Sequence, residues 1–498
     1  MDRRSFLGGM AAIAAVAPAP GRAQPGMALP LAAGPEALRR LGERLLRLEE
    51  DGLDPRWYGL DAAAASDPQA VAGAAGGALA DLVQGRVPSL PGRVDIRRET
   101  PGPALAGWLQ QLVEAAEPAQ VIDRAALAPA GMAPLKAALA EARTRAAAGG
   151  WPSVPAAGGR TLEPGSQDAA RVPALRARLA ATDPQLAAHP GQGTTYDERL
   201  QAAVRRFQAD AGLEPDGRVG QATMAALNRP PEARVNQLRA AMDMRRAALP
   251  MPRERRVEVN VPDYRLLVIE DGRTLMDFAV IVGRPARATP MIVTRLTSVQ
   301  FNPPWGVPHR LAKEDMLPRL RRDPQAMAQR GFRIFQRVGG EVVEVDPTLV
   351  DWHRVNPERF PYFIRQDAGD ANALGRLKFN MPNNDDIFLH DTPDRHLFRR
   401  ADRAHSSGCI RLERPMEFMM LLFEGMEGWS QERAERTLAS RQTIVASLRR
   451  QLPIRLHYTT VTVEGGTVRV RPDIYGLDEA YARAMEARAP RPLMAARG

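Results

Sequence analysis

Apolar residues in the first third of the chain recur at the spacing of amphipathic helices. The first stripe steps by three and four residues along one face of a helix that ends near Gly52. It consists of Leu38, Leu41, Leu45 and Leu48. Further helical patterns cover roughly residues 68–84, 103–116 and 132–148. We therefore predict a helical scaffold domain over residues 35–148, and nothing in its sequence suggests chemistry.

The middle of the chain begins with a composition typical of linkers and continues with short helical patterns. Residues 149–167 are rich in Gly, Pro and other small residues, which predicts a linker with few contacts. Two helical patterns, a turn at residues 211–217 and a third helix starting near Gly220 predict a compact module over residues 170–229. A partial apolar stripe then predicts a helical connector over residues 230–253.

From Arg256 the pattern changes to the alternation of half-buried strands. Val257, Val259 and Val261 alternate with polar residues, and Asp271-Gly272 predicts a hairpin turn. We predict a mostly-β domain over residues 254–458, followed by strands and a polar tail over residues 459–498. The predicted fold class is therefore multidomain α+β.

A polar, charged stretch broken by prolines interrupts the β pattern at residues 309–374. A stretch of this length inside a β domain is not expected to be an idle loop, since long loops in compact domains usually serve a function. We refer to residues 309–374 as the insertion.

Composition and charge exclude several classes of function. The 498 residues are 44% apolar, enough for more than one core, and Lys plus Arg outnumber Asp plus Glu by 68 to 58. The chain lacks the aromatic-interleaved basic patch, zinc spacing and helix-turn-helix pattern of nucleic-acid-binding proteins. The seven histidines and single cysteine form no metal-ligand pattern, and no phosphate-binding glycine loop precedes a helix. We therefore predict no nucleic-acid partner, metal or other cofactor.

The N terminus, residues 1–23, resembles a twin-arginine export signal. Arg3 and Arg4 precede an alanine-rich apolar run, and small residues at 21–23 offer a cleavage site. The alternative, an uncleaved anchor helix, is disfavoured because the run is short and contains Pro18 and Pro20. No later stretch is apolar and long enough to span a bilayer, so we predict a mature chain without an integral membrane segment, outside the cytoplasm.

The candidate chemistry lies in residues 387–412, which contain Cys409, the only cysteine, and His390 at the end of a short apolar run. A thiolate is the reactive form of cysteine, so a nearby base or positive charge has to lower the pKa of the thiol. A lone cysteine is more often a small buried hydrophobe, but the polar, glycine-bearing context here favours a nucleophile. Because 19 positions separate the two residues, only the fold can bring this nucleophile and base together.

The neighbours of the cysteine suggest how acyl transfer would be assisted. Ser407 and Gly408 are small, so backbone N–H groups in this segment could point at a developing oxyanion. Arg411 and Arg414 add positive charge that would favour the thiolate and could bind a substrate carboxylate. For Arg411, a salt bridge that shapes the loop is the alternative.

These segments resemble a known enzyme family. HDTP at residues 390–393, followed by SSGCIR at residues 406–411, is similar to the signature of the L,D-transpeptidase (YkuD-type) catalytic domain. Many members carry a histidine where this chain has Ser407, and His405 is not a replacement for it. The sequence AVRRFQADAGLEPDGRVGQATMAALN, which ends at Asn228, resembles the three-helix peptidoglycan-binding module of wall enzymes. The helical region resembles the scaffold of the periplasmic multidomain subgroup.

The resemblance implies a periplasmic enzyme of cell-wall organisation and cell shape. Cys409 would attack the carbonyl of the third residue of a peptidoglycan tetrapeptide stem, with His390 as base and release of D-alanine. Transfer to an amine of a second stem would form 3-3 cross-links, and such a thiol would be a carbapenem target. The alternatives are an L,D-carboxypeptidase, a lipoprotein-anchoring transferase, an amidase or endopeptidase cutting elsewhere in the stem, and a non-catalytic peptidoglycan-binding protein.

The resemblance also suggests further roles. Asp391 would either take part in catalysis or hold its loop, and Trp305 would either line a substrate groove or cap the sheet. The insertion would cover the active site as a mobile cap, and residues 170–229 would bind glycan or only pack. Stem peptides, glycan and other wall-synthesis proteins are the implied partners, and an acidic wall polymer suits the net positive charge.

Overall fold

The computed structural model describes residues 28–97, 104–156, 158–248 and 251–488. The predicted export signal at residues 1–23 lies outside the described residues. The chain forms two compact units, one of residues 28–83, 104–128 and 487–488, and a larger one of residues 84–97 and 129–486 with the gaps just given. Within the described ranges, no helix has the length and apolar character needed to cross a membrane.

The smaller unit is helical. Its helices are α1 (Pro35–Leu46), α2 (Pro68–Gln84), α3 (Ala104–Glu114) and α4 (Pro118–Leu127). Three of the four leucines in the predicted stripe, Leu41, Leu45 and Leu48, are fully buried, which confirms the expected helix face. A 3₁₀ turn, Leu48–Asp51, extends the helical region to Gly52, whose φ of 78° ends it where the sequence predicted.

The remainder of the predicted scaffold belongs to the larger unit. A hairpin of β1 (Ser89–Leu90) and β2 (Arg93–Arg97), turned at Gly92 with φ 77°, departs from the all-helical expectation. Helix α5 (Met132–Ala147) packs through Leu135 and Leu139 against later segments of the same unit. Helical spacing shows which residues share a face but not which partner that face meets, so the sequence did not reveal this division.

Residues 149–229 form a helical module with its own core. Its helices are α6 (Arg171–Ala180), α7 (Pro184–Ala188), α8 (Glu198–Asp210) and α9 (Gln221–Leu227), and α9 begins after Gly220 as predicted. The predicted linker 149–167 makes more contacts than its composition suggested. Val154 and Leu162 are buried in the module core, and Leu162 exchanges two backbone hydrogen bonds with Val219. Apolar side chains spaced among Gly and Pro therefore fasten this segment to the module. Helix α10 (Pro231–Ala247) follows as the predicted connector.

The remaining elements of the larger unit are mostly strands. In chain order, the strands up to residue 457 are β3 (Arg256–Asn260), β4 (Arg265–Glu270), β5 (Arg273–Gly283), β6 (Ile292–Phe301), β7 (Trp305–Gly306), β8 (Phe332–Val338), β9 (Glu341–Val345), β10 (Tyr362–Gln366), β11 (Leu377–Asn380), β12 (Leu389–His390), β13 (Ala404–Ser406), β14 (Ile410–Leu412) and β15 (Ile444–His457). Nine of them form one sheet in the order β13-β5-β14-β12-β11-β6-β15-β3-β4, and a further pairing of β4 with β5 closes it.

One face of this sheet is covered by a helix. This face buries Phe278, Phe379 and Leu389. Helix α14 (Pro415–Leu422) covers it, with the Phe418 ring centroid 5.0 Å from that of Phe379 and 6.0 Å from that of Phe278. The methionine-rich segment 415–423 thus contributes a core helix. A second helix, α15 (Gln431–Ala439), precedes β15.

The insertion is a folded layer rather than a loop. Strands β7, β10, β8 and β9 form a four-stranded antiparallel sheet in that order, next to α11 (His309–Leu311), a π-helical turn (Ala312–Met316), α12 (Leu317–Arg322) and α13 (Pro324–Gln329). Leu320, Ile334 and Trp352 are buried in a core of its own. Trp352 is therefore a packing residue.

The C-terminal segment is more ordered than its sequence predicted. The predicted closing strands are present as the hairpin β16 (Val461–Glu464) and β17 (Thr467–Val470). The expected polar tail instead contains helix α16 (Leu477–Ala487), which buries Leu477, Tyr481 and Met485. Those residues form an apolar stripe at helical spacing, and that signal was available in the sequence.

Candidate active site

One face of the large sheet carries the candidate chemistry. The strand registers pair Lys378 with His390 and His390 with Arg411 across β11, β12 and β14. Directly paired residues point to the same face of a sheet. Phe388 and Cys409 lie two positions before His390 and Arg411, so they share that face. The fold thus brings His390 and Cys409 onto neighbouring strand ends despite their separation in sequence.

Cys409 closes a tight turn, residues 406–409, which we call the cysteine turn. Ser406 Oγ accepts a hydrogen bond from Gly408 N–H at 3.1 Å and donates one to Cys409 O at 2.5 Å. Gly408 has a φ of 121°, and a Cβ added there would lie 3.2 Å from Ile387 Cδ1. The turn therefore requires glycine at this position.

Two hydroxyl groups hold the cysteine turn from the sheet side, one on the fully buried Thr289 and one on the half-buried Tyr475. Thr289 Oγ1 donates to Gly408 O at 2.8 Å and accepts from Gly283 N–H at 2.8 Å. Tyr475 Oη donates to Gly283 O at 2.6 Å and accepts from Thr289 N–H at 3.0 Å. The C-terminal segment thus positions the turn that carries Cys409. Sequence reasoning missed both residues, although the buried stripe after Tyr475 was a signal that this segment packs on the domain.

A charged network holds the same turn from the insertion side. Arg287 donates to Ser407 Oγ at 3.0 Å, and its guanidinium also binds Asp315 at 2.5 and 2.8 Å and Glu314 at 2.5 Å. Asp315 and Glu314 belong to the π-helical turn of the insertion. Arg287 therefore links the insertion directly to the cysteine turn, and its basic side chain within an Arg-rich chain gave no sequence signal of this role.

His390 is oriented as a base by a backbone carbonyl. Its Nδ1 lies 2.6 Å from Asp391 O, a distance that requires Nδ1 to carry a proton and donate it. Nε2 is then the unprotonated nitrogen of the neutral ring and is available to accept a proton. The acceptor for His390 Nδ1 is thus a main-chain oxygen rather than a carboxylate.

The thiol and the imidazole are both held in their neutral forms. Burial raises the pKa of the Cys409 thiol to about 11, against the smaller opposing effects of a Phe388 backbone hydrogen bond, Lys378 and Arg411. Burial, assisted by the positive charge of Arg411, lowers the pKa of His390 to about 3. We expected the nearby arginines to favour the thiolate, but desolvation of the half-buried Cys409 side chain outweighs them.

Residues 254–423 match the L,D-transpeptidase catalytic domain family, YkuD. The chain carries an L,D-transpeptidase catalytic domain. Residues 168–227 match the family described as "Putative peptidoglycan binding domain". Together with the helical N-terminal region, these matches confirm the predicted architecture of helical segments, a peptidoglycan-binding module and a mostly-β transpeptidase domain.

Proteins similar to this chain are named after the same family. A Haemophilus influenzae protein named "Putative L,D-transpeptidase" is 42% identical over 220 residues, 44% of this chain and 44% of that protein. The chain therefore matches less than half the length of this relative. Solved L,D-transpeptidases from Xylanimonas cellulosilytica (14% identity, covering 61% of this chain and 99% of that chain, TM-score 0.19) and Stackebrandtia nassauensis (12%, 62% and 100%, TM-score 0.20) are too distant to support an argument.

The two arginines near the cysteine of the transpeptidase domain are both paired with carboxylates. Arg411 Nη1 lies 2.9 Å from Asp394 Oδ2, and Arg414 Nε lies 2.8 Å from Glu417 Oε1. The salt bridge that we considered as the alternative for Arg411 is therefore present in this structure. Its role in binding a substrate carboxylate stays a prediction.

Asp391 uses its side chain to hold a loop. Its Oδ2 accepts from Arg376 N–H at 2.9 Å, and its Oδ1 lies 3.4 Å from Arg395 Nη1. Gly375 lies so close that an added Cβ would meet Asp391 Oδ2 at 2.5 Å. The carboxylate is thus directed at residues 375–376 and Arg395, while its backbone carbonyl serves His390.

Trp305 belongs to the sheet of the insertion. It pairs with Gln366 in β10, and its ring packs edge to face on Phe332 at 6.3 Å. It is half-buried, so packing is the role that the structure displays, and a contact with substrate remains a prediction.

The backbone of the cysteine turn offers unengaged donors. Gly408 N–H is used by Ser406 Oγ, whereas Ser407 N–H and Cys409 N–H have no acceptor within the described ranges. These two N–H groups are therefore better candidates for oxyanion donors than Gly408 N–H. Over the same ranges, no group of three or more His, Cys, Asp or Glu side chains could hold a metal ion.

Proposed function

We propose that the chain is a cell-wall L,D-transpeptidase that uses Cys409 for acyl transfer at the third residue of peptidoglycan tetrapeptide stems. The observation that carries the proposal is the placement of Cys409 and His390 on adjacent strand ends of one sheet face, within a domain of the matching family. The neutral state of both groups favours proton transfer within the substrate complex over a preformed thiolate.

The proposed reaction has two halves. In the first, Cys409 Sγ gives its proton to His390 Nε2 and attacks the carbonyl carbon of the third stem residue. Cys409 N–H donates to the oxyanion, the bond to the D-alanine nitrogen breaks, and that amine takes the proton from His390. In the second half an acceptor amine attacks the thioester and gives a proton to His390. Cys409 Sγ leaves and takes this proton from His390. The product is an amide, which is a 3-3 cross-link when the acceptor is a second stem.

The remaining assignments follow from this activity. The module at residues 168–227 supports peptidoglycan as the ligand. An exported chain that acts in the periplasm is consistent with the twin-arginine-like N terminus, and other wall-synthesis proteins remain candidate partners. The folded insertion beside the cysteine turn supports its proposed role as a cap over the active site.

The first experiment is intact-protein mass spectrometry of residues 24–498 incubated with a carbapenem, with Cys409→Ala as the matched control. We expect one covalent adduct on the wild type and none on the variant, because the strained lactam carbonyl acylates a competent thiol. A wild type that stays unmodified, or an adduct that persists on Cys409→Ala, would contradict the proposed nucleophile.

The second experiment separates the transferase from an L,D-carboxypeptidase. Wild type is incubated with a stem tetrapeptide, and free D-alanine and cross-linked dimer are quantified together. Dimer with stoichiometric D-alanine supports the transferase. D-alanine without dimer, in the presence of excess acceptor amine, identifies water as the acceptor, and cleavage of another stem bond identifies an endopeptidase or amidase.

A further inference from the structure

Lys378 occupies the catalytic face but had no role in the sequence analysis. It is one of only three lysines in a chain whose Lys and Arg residues total 68. In the β11–β12 ladder it lies directly opposite His390, on the same face as Cys409. A compact ammonium group therefore stands beside the catalytic pair in a protein that otherwise uses arginine for nearly every positive charge.

The ammonium group is held close to the nucleophile by an aromatic ring. Lys378 Nζ lies 4.0 Å from the centroid of the Phe388 ring, and that ring is 5.7 Å from the imidazole of His390. Phe388 O accepts the N–H of Ile410, the residue after Cys409, at 3.1 Å. Lys378 therefore carries its charge against the Phe388 ring, on the side of the sheet that also holds His390.

This charge lacks the anionic partner that the neighbouring cation has. Arg411 is bound to Asp394 at 2.9 Å. For Lys378, no Asp or Glu oxygen of the described residues lies within the 4.0 Å of an ion pair, and Asp386 acts on it only from a longer range. Burial lowers the pKa of Lys378, against smaller opposing effects of Cys409 and Asp386. Burial thus outweighs the nearby negative groups, and a bound anion would stabilise the ammonium further.

We propose that Lys378, rather than Arg411, binds a carboxylate of the donor stem peptide next to the scissile bond. This inference rests on the proposed function and names the residue that positions its donor substrate. Two carboxylates lie near that bond: the C-terminal carboxylate of the departing D-amino acid, and the side-chain carboxylate of a diamino dicarboxylic acid at the third residue. Both present the same chemistry to an ammonium group.

The test compares three tetrapeptides on four proteins. The peptides carry free carboxylates, a C-terminal amide, or an amide on the third-residue side chain. The proteins are wild type, Lys378→Met, Lys378→Arg and a matched control, Lys136→Met, which changes a lysine of α5 outside the site. Thioester formation is followed by quenched flow with intact-mass detection, and alkylation of Cys409 by iodoacetamide measures the thiol without any carboxylate. Thermal melts show that each variant is folded.

We expect amidation of one carboxylate to slow wild-type acylation about 10- to 100-fold, as for loss of a charge-assisted hydrogen bond. Lys378→Met should be acylated by all three peptides at one slow rate. That rate should equal the rate of the wild type with the peptide whose amidation slows it. Lys378→Arg should retain part of the discrimination, and Lys136→Met all of it. The amide that matters identifies which carboxylate is bound. Lys378 also has a small lowering effect on the pKa of the Cys409 thiol, so iodoacetamide alkylation in Lys378→Met should fall somewhat, but by much less than acylation by the peptide with free carboxylates.

Three outcomes would overturn the inference. If Lys378→Met slows all peptides equally and keeps the wild-type response to amidation, Lys378 does not bind the carboxylate. If alkylation falls in parallel with acylation, Lys378 acts on the thiol instead. If wild type forms no thioester with any peptide although iodoacetamide alkylates Cys409, the proposed function itself fails and this inference fails with it.

Discussion

The cysteine turn is held from two sides by contacts of different kinds. On the sheet side, Thr289 and Tyr475 form neutral hydrogen bonds, and Thr289 is fully buried. On the insertion side, Arg287 joins Ser407 to Asp315 and Glu314, whose side chains are 26% and 44% exposed. One support is a fixed part of the domain core, whereas the other is ionic and partly hydrated.

This difference assigns separate tasks to the two supports. Neutral hydrogen bonds in a buried site are insensitive to salt and costly to leave unmade. Partly exposed ion pairs are weakened by salt and respond to pH. The sheet side therefore fixes the position of Cys409, the proposed nucleophile, and the insertion side adds an ionic contact that responds to salt and pH. The predictions below remove one support at a time, from the largest expected effect to the smallest.

Thr289→Val should have the largest effect. It removes the hydroxyl that joins Gly283 N–H to Gly408 O and leaves two buried backbone groups unsatisfied. We expect a loss of about 2–4 kcal/mol in the free energy of unfolding and a fall of about 100-fold in kcat/KM for donor acylation. Chemical denaturation and acylation kinetics measure the two quantities.

Two variants control this prediction. Thr289→Ser keeps the hydroxyl and should recover most of the activity. Thr437→Val removes a hydroxyl that bonds Arg433 O on an exposed helix, at 2.8 Å, and should change neither quantity measurably. If Thr289→Val acylates at the wild-type rate, the sheet side does not position Cys409.

Arg287→Met should have the next largest effect. It disconnects the insertion from Ser407 while leaving Thr289 and Tyr475 in place. We expect acylation to slow about 10-fold, with a loss of only about 1–2 kcal/mol in the free energy of unfolding, because the freed carboxylates are partly hydrated. Acylation rates measured across a salt series should fall with salt in the wild type and stay flat in the variant.

The matched control for Arg287 is Arg310→Met. Arg310 binds Glu314 at 2.8 Å on the exposed side of the same segment and does not reach the cysteine turn. Its removal should cost less than about 0.5 kcal/mol and leave the salt response intact. An equal loss of activity in both variants would mean that activity depends on the stability of this helical segment of the insertion and not on the contact between Arg287 and Ser407.

Tyr475→Phe should show a smaller version of the Thr289 effect. The ring stays, and only the hydroxyl bonds to Gly283 O and Thr289 N–H are lost. We expect a loss of about 1–2 kcal/mol in the free energy of unfolding and a fall of about three-fold in acylation. Tyr264→Phe, which loses the bond from another buried tyrosine to Asp402 at 2.9 Å, should cost similar stability without slowing acylation. Equal slowing in both variants would mean that Tyr475 supports activity only through the stability of the fold, not by positioning the cysteine turn.

The sequence allowed a candidate nucleophile and base to be proposed, whereas it gave no indication of the residues that support the cysteine turn. The HDTP and SSGCIR segments contain His390 and Cys409 within a short stretch, and the strand pattern before His390 placed it at a strand end. Thr289 and Tyr475 act on the turn from 120 residues before Cys409 and 66 residues after it. Only the tertiary structure brings such distant hydroxyl groups together, so no local pattern could assign them.

The pKa of the Cys409 thiol also could not be predicted from the sequence. Arg411 and Arg414 were expected to favour a thiolate, but whether a charge or burial controls a pKa depends on solvent access, which composition does not report. The same limit applies to Val154 and Leu162, because a Gly- and Pro-rich composition predicted few contacts for their segment. Helical spacing, by contrast, correctly identified the buried face of the first helix because that face depends only on local periodicity.

The smallest expected effect is the acid response of the insertion side. The hydrogen bond from Arg287, with a smaller opposing effect of burial, lowers the pKa of Asp315 below its usual value of 3.8. A carboxyl whose folded pKa is depressed stabilises the fold fully above its unfolded value, and this contribution is lost as the pH falls through the folded pKa. The stability difference between wild type and Asp315→Asn, from urea unfolding, should therefore be constant at about pH 5–7 and shrink below about pH 4. In an Arg287→Met background the same substitution should show less shrinkage, since the largest interaction that lowers the pKa is gone and only the weaker effects of Arg284 and Arg319 remain. A difference that shrinks equally in both backgrounds would place the acid response elsewhere and leave the charged support without a pH-dependent role.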